Sequence, residues 1–218
     1  MPQIASSIEV RYAKQTHLNY LLFVPPLYGM DAERRWPLIL FLHGSGERGN
    51  DPELLKAYGM PKVVDAWPEC PFIVLSPQCE ADSWWTFKLD ALNALLDSII
   101  EQYRVDTDRI YLTGLSMGGE GVWNLAMAYP QRFAAIAPIC GRSHPSGACL
   151  IKDTPVWVFH GAKDDRVPLS ESERMVEALR ACGANVQFTV YPEAGHDSWT
   201  ETYNNPVLYE WFLQHKLG

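Results

Sequence analysis

Six short strand-like segments limit what this chain can fold into: Leu38–Leu42, Phe72–Ser76, Ile110–Leu115, Phe133–Ile139, Val156–Phe159 and Val186–Tyr191. Leu38–Leu42 and Phe72–Ser76 are continuous runs that suit strands buried on both faces, the condition of a parallel sheet covered by helices, and the other four segments read as further strands. The segments between them supply the helices. Leu89–Tyr103 carries Leu92, Leu95, Leu96, Ile99 and Ile100 at helical spacing. Gly119–Ala128 is a second helix, stopping near Pro130. Ser170–Cys182 is an amphipathic third, with Ser170 as its expected cap and Gly183 as its stop signal. Pro206–Lys216 closes the chain as a fourth. Two earlier strands, Ile8–Tyr12 and Leu18–Val24, are expected to pair antiparallel around a turn at Lys14–Thr16. The fold class is therefore α/β: a mostly parallel central sheet, mixed at its N-terminal end, with helices on both faces. No repeat, linker or low-complexity tract divides the 218 residues, and one domain is expected.

Composition excludes several functions. The net charge of -8 removes the basic face that a nucleic-acid backbone requires, and it disfavours an anionic membrane surface. No stretch approaches the roughly 18 apolar residues of a membrane span, and the N-terminus shows neither the basic nor the apolar region of a secretory signal. Cys70, Cys79, Cys140, Cys149 and Cys182 have no metal-like spacing. Mostly free thiols in a reducing, cytoplasmic setting are expected, with a Cys140–Cys149 bridge left open. The chain is expected to act as a monomer or homodimer.

In sheets of this kind ligands sit at the carboxyl ends of the strands, so the residues after each of these segments carry the functional reading. After Ile110–Leu115 comes Gly114-Leu115-Ser116-Met117-Gly118, a G-x-S-x-G pattern between a strand and a helix. A serine on so tight a turn projects its hydroxyl above the sheet, over a helix N-terminus whose dipole favours developing negative charge. After Val156–Phe159 comes His160-Gly161-Ala162-Lys163-Asp164-Asp165-Arg166-Val167-Pro168. Either aspartate could hold an imidazole in one tautomer, whereas His160 reads as a packed, hydrogen-bonded residue. After Val186–Tyr191, the loop around Gly195-His196 offers a general base that reaches back to the serine. The chain order Ser, Asp, His is the one this sheet type uses. His17, His144 and His215 lack such a context and read as structural or surface residues.

After Leu38–Leu42 comes His43-Gly44-Ser45-Gly46-Glu47-Arg48-Gly49. Acyl transfer needs two N–H donors aimed at the carbonyl oxygen as it becomes an oxyanion. The backbone of Met117 is one candidate. The glycine-rich loop offers the other, with Ser45 preferred and Gly46 as the alternative. A phosphate loop is excluded, because no Gly-Lys-Ser/Thr ending follows.

Together these motifs resemble the α/β-hydrolase superfamily, and within it the small lidless esterases: the phospholipase/carboxylesterase, dienelactone-hydrolase-like, feruloyl-esterase-like and "predicted peptidase" groups. The resemblance runs from about Leu18 to the C-terminus. It implies an α/β-hydrolase fold without a cap domain, since Gly141–Thr154, where many relatives insert one, is short. It assigns the acid to Asp164 through the pattern H-G-x-x-D-x-x-V-P. True dienelactone hydrolases carry a cysteine nucleophile, and Ser116 departs from them. Glu120 departs as well, standing where related esterases often carry a neutral residue; it either favours the helix N-terminus or places a carboxylate near the pocket. The resemblance also puts the segment 77–85 near the site. Trp84, Trp85 and Trp199 then become candidate walls for an acyl or aryl group, with core or rim packing as the alternative for each.

The expected activity is hydrolysis of a small carboxylic ester, short-chain or aryl, through Ser116, His196 and Asp164, with no metal or organic cofactor. Peptide or thioester cleavage by the same residues is the runner-up. A non-catalytic binding module is the third reading.

Overall fold

A computed structural model describes residues 15–218. Seven strands form one sheet: β1 (Tyr20–Phe23), β2 (Trp36–Leu42), β3 (Ile73–Pro77), β4 (Val105–Leu115), β5 (Ala135–Ile139), β6 (Val156–Gly161) and β7 (Val186–Tyr191). Their order is β1-β3-β2-β4-β5-β6-β7. Every neighbouring pair is parallel except β1 with β3, where Leu22 faces Leu75 in an antiparallel ladder. The helices are α1 (Gly59–Ala66), α2 (Leu89–Gln102), α3 (Met117–Ala128), α4 (Ser170–Ala181), α5 (Trp199–Asn204) and α6 (Pro206–Leu213).

Strand β2 shows why the sheet needs helices on both sides. All seven of its residues are buried. Leu38, Leu40 and Leu42 face the cluster that holds Leu92 and Leu96 of α2, Val122 and Trp123 of α3, and Met175 and Leu179 of α4. Ile39 and Phe41 face the opposite cluster, with Met60 and Val64 of α1 and Tyr209 and Phe212 of α6. The period-two alternation of a strand thus feeds two cores at once.

The strand order also fixes where a site can form. From β2 the chain moves outward to β3, then returns past β2 to β4. The connections that leave β2 and β4 therefore depart to opposite faces, and a crevice opens at their carboxyl ends. The serine turn follows β4 and the glycine-rich loop follows β2, so topology brings the two together.

The expected strand at Ile8–Tyr12, and its pairing with the strand at Leu18–Val24, lie outside the described residues; among those, β1 pairs antiparallel with β3. Other expectations are corrected. Ser170 is the first residue of α4 and not its cap; Leu169 holds that position, with no side-chain hydrogen bond. Gly183 does end the helix, in the left-handed region at φ +79°. Cys149 bonds Cys182, tying the turn Pro145–Ile151 to the end of α4, while Cys70, Cys79 and Cys140 are free and buried. The Cys140–Cys149 pairing is not formed. Disulfides persist in oxidising compartments and are rare in the reducing cytosol, so the cysteines give no support to a reducing setting. Among the described residues, no helix is long and apolar enough to cross a membrane.

Candidate active site

The turn from β4 into α3 is the most constrained backbone of the site. Ser116 sits at φ 54° and ψ -114°, a conformation that L residues rarely adopt. Two glycines permit it. A Cβ on Gly118 would lie 1.9 Å from the carbonyl oxygen of Leu42, and one on Gly114 would lie 2.7 Å from the same oxygen. The small positions of the motif are thus where β2, β4 and α3 meet backbone to backbone. The Ser116 N–H donates to the carbonyl of Ile139 at 2.9 Å, which anchors the turn on β5.

The structure brings Ser116, His196 and Asp164 together. Nε2 of His196 lies 2.9 Å from Oγ of Ser116, and Nδ1 lies 2.8 Å from Oδ2 of Asp164. A carboxylate only accepts, so Nδ1 carries the proton and Nε2 is free to accept from the serine hydroxyl. The Asp164 side chain is shielded from solvent. Burial alone would raise its pKa. Hydrogen bonds from His196 and from the backbone N–H groups of Val167 and Arg166 outweigh that penalty, and the net shift is downward. The carboxylate is thereby held ionised. Asp165, its neighbour in the sequence, is exposed and lies near Arg166 instead.

The loop after β2 is braced from behind. His43 is buried; its Nε2 accepts from the Cys79 N–H at 3.0 Å and its Nδ1 donates to the Gly44 carbonyl. Gln78 donates to the carbonyls of Glu47 at 2.9 Å and Asp51 at 2.8 Å. Ser45 faces the same cavity as Ser116 and Met117, whereas Gly46 is exposed and does not line it.

That cavity is about 510 Å³. Trp84 and Trp199 stand in its wall. The Trp199 ring meets the His196 ring edge-on at 5.3 Å. Trp84 donates from Nε1 to the Glu120 carboxylate at 3.0 Å, and the Arg48 guanidinium lies 5.1 Å from its ring. Glu120 therefore does both things its position allowed: it sits in the first turn of α3 and places a carboxylate at the cavity. Trp85 is a correction. It is fully buried, its Nε1 donates to the His43 carbonyl at 3.0 Å, and its ring packs against that histidine. It supports the loop from the core and cannot touch a substrate. The polar rim residues Arg142, Arg166 and Asp197 also line the cavity. Arg142 lies beyond β5 in a loop with no motif of its own, whereas Arg166 and Asp197 stand in the motif-bearing loops after β6 and β7 at positions the motifs leave variable, so only position after a strand end could have flagged them.

Cys140 lies close by, with φ 41° and a buried thiol pushed up to about 12 by desolvation. Its sulfur, a nitrogen of His196 and an oxygen of Asp164 lie within 4.8 Å of one another. The imidazole and carboxylate are already hydrogen-bonded to each other, and a protonated thiol is a poor ligand, so this group is better described as packing than as a metal centre.

The family model for the "Dienelactone hydrolase family" matches residues 75–208. A carboxymethylenebutenolidase-like protein of Yersinia pestis is 30% identical over 138 residues, covering 52% of this chain and 49% of its own length. A bifunctional acetylxylan esterase/xylanase of Neocallimastix patriciarum is 26% identical, covering 55% of this chain and 17% of its own length. The chain thus spans about half or less of these curated relatives. Among solved structures, a thermostable esterase superposes with a TM-score of 0.80 at 35% identity, over 91% of this chain and 59% of that one. A ferulic acid esterase shares the fold, with a TM-score of 0.66 at 20% identity over 89% and 90% of the two chains.

Proposed function

We propose, for a chain that belongs to the dienelactone hydrolase family, that it hydrolyses carboxylic esters through an acyl-enzyme on Ser116. The observation that carries this reading is the unbroken hydrogen-bond series from Ser116 Oγ through His196 to Asp164, opening on a cavity of ester-sized volume. His196 takes the serine proton as Oγ attacks the carbonyl carbon. Asp164 keeps the imidazole in the required tautomer and stabilises its charged form. The backbone N–H groups of Met117 and Ser45 receive the oxyanion at the N-terminus of α3. His196 then returns the proton to the leaving alcohol, and water repeats the sequence to release the acid.

Short-chain and aryl esters fit the walls best. Trp84 and Trp199 offer aromatic walls, and the Glu120 carboxylate hydrogen-bonded to Trp84 disfavours an anionic group at that end of the cavity. The short segment Gly141–Thr154 supports an uncapped single domain whose site stays open to solvent.

The test is an ester panel of graded acyl length with phenyl and p-nitrophenyl alcohols, run beside thioester and aminoacyl-amide substrates. Wild-type protein should turn over the esters fastest. Ser116→Ala should lose activity by about 10⁴-fold or more. Full activity in Ser116→Ala, or turnover of amides alone, would sink the reading.

A further inference from the structure

We propose that His160 is a positioning residue for Asp164, fixed in one tautomer by the Val167 carbonyl and tethered to α4 through Ser172; the inference rests on the hydrolase reading above. His160 lies near the end of β6, four residues before Asp164, and the side chains of both are shielded from solvent. Its Nε2 lies 2.9 Å from the carbonyl oxygen of Val167 and 3.2 Å from Oδ2 of Asp164. Its Nδ1 lies 2.7 Å from Oγ of Ser172. A carbonyl oxygen only accepts, so Nε2 carries a proton. In the neutral ring Nδ1 is then the acceptor, and the Ser172 hydroxyl is its donor. The opposite tautomer would turn a lone pair toward two oxygen acceptors, so the Val167 carbonyl and the Asp164 carboxylate select the form in which an N–H faces the acid, and the Ser172 hydroxyl, which can donate or accept, completes it from the other side.

The geometry makes this more than packing. Asp164 Oδ1 accepts from the N–H groups of Arg166 at 2.8 Å and Val167 at 2.9 Å. His160 holds the carbonyl of that same Val167. The residue that grips the carboxylate is therefore fixed on both its amide and its carbonyl sides. Oδ2, the oxygen that receives His196, is the one beside the His160 N–H. The strand end beneath is equally close-packed. A Cβ on Gly161 would lie 2.1 Å from the carbonyl oxygen of Gly195, which immediately precedes His196. One buried ring thus sets the height and tilt of the acid relative to the base, and it ties both to α4. A misplacement of about 1 Å in such a series costs on the order of 10²-fold in rate.

Three variants of the full chain test this: His160→Leu, which keeps volume and removes both ring nitrogens; His160→Gln, whose amide N–H can reach the Val167 carbonyl; and Ser172→Ala, which removes only the hydrogen bond that tethers Nδ1 to α4. Rates of p-nitrophenyl acetate hydrolysis are normalised to sites titrated with a fluorophosphonate, so that unfolded protein is not counted. The low-field proton resonance of the His196 Nδ1–H held to Asp164 is read in parallel. His160→Leu should lower kcat per titrated site by roughly 10–100-fold with KM nearly unchanged, the pattern of a group that acts on geometry and not on substrate binding. His160→Gln should recover most of that loss. Ser172→Ala should fall between wild type and His160→Leu, and the resonance should broaden or shift in step. Unchanged kcat per titrated site in Ser172→Ala and His160→Leu, with the resonance intact, would overturn the proposal. The resonance needs no substrate, so it decides the positioning claim even where wild type fails to cleave esters and the hydrolase reading falls.

Discussion

Acidification should destabilise this protein through His43 before it affects most of its carboxylates. His43 is 1% exposed, and its Nε2 is used as an acceptor for the Cys79 N–H. Burial lowers its pKa from 6.5 to about 4; the hydrogen bond to the Gly44 carbonyl pulls upward and the Arg48 charge pulls down. The unfolded chain takes up a proton near the ordinary histidine value, while the folded chain does not until well below it. The stability this residue contributes is therefore complete above about pH 6.5 and is lost as pH falls toward 4. A shift of this size is worth about 3 kcal/mol in full, and about 2 kcal/mol between pH 7 and pH 5. Glu47, 3.8 Å away, is raised by its own burial and works in the opposite sense. The effect is thus read as a difference: urea unfolding of wild type and His43→Gln at pH 7, 6 and 5. Wild type should lose about 2 kcal/mol more than the variant over that range. Equal slopes in the two proteins would refute the reasoning. Turnover in the ester panel should fall over the same window, because a protonated His43 no longer accepts from the Cys79 N–H that braces the loop after β2.

Three further outcomes follow from the same geometry. Reducing Cys149–Cys182, which closes a separation of 33 residues, should cost about 3–4 kcal/mol by loop entropy, measured by denaturant unfolding with and without reductant; an unchanged midpoint would show that the bridge constrains nothing. Gly118→Ala should abolish turnover and lower the melting temperature by several degrees, since a Cβ there meets the Leu42 carbonyl at 1.9 Å; retained activity would place the serine turn elsewhere. Trp85→Ala should destabilise by roughly 3–5 kcal/mol as a core cavity, whereas Trp84→Ala should leave stability closer to wild type and alter acyl-chain preference in the ester panel. The reverse pattern would exchange their roles.

The inner strands were legible because a covered parallel sheet leaves short, mostly apolar runs, whereas β7 at the sheet edge interleaves Gln187 and Thr189 and buries only Tyr191. β7 matches its expected ends, and the others extend or contract by a few residues. The hydrogen-bonded series was legible for a related reason: topology puts strand ends at the ligand crevice, so motif and chain order point to Ser116, His196 and an acid at Asp164 or Asp165, and the family resemblance chooses Asp164 between the two. Helices α1 and α5 were missed. The first begins Gly59-Met60-Pro61 and the second has six residues, so neither shows enough turns to display a period. Trp84 and Trp85 could not be separated from sequence, because adjacent residues in an irregular turn point apart by no fixed rule; one reaches the cavity and the other the core. The Cys149–Cys182 bridge joins segments that only the folded chain brings to a Cα distance of 5.3 Å.

The central claim is that Ser116 is the nucleophile of an ester hydrolase. A fluorophosphonate label followed by peptide mass spectrometry tests it most directly. One adduct per chain should appear on the peptide containing Ser116, and p-nitrophenyl acetate turnover should vanish with it. Labelling of a different residue, or unimpaired ester turnover in fully labelled protein, would contradict the account.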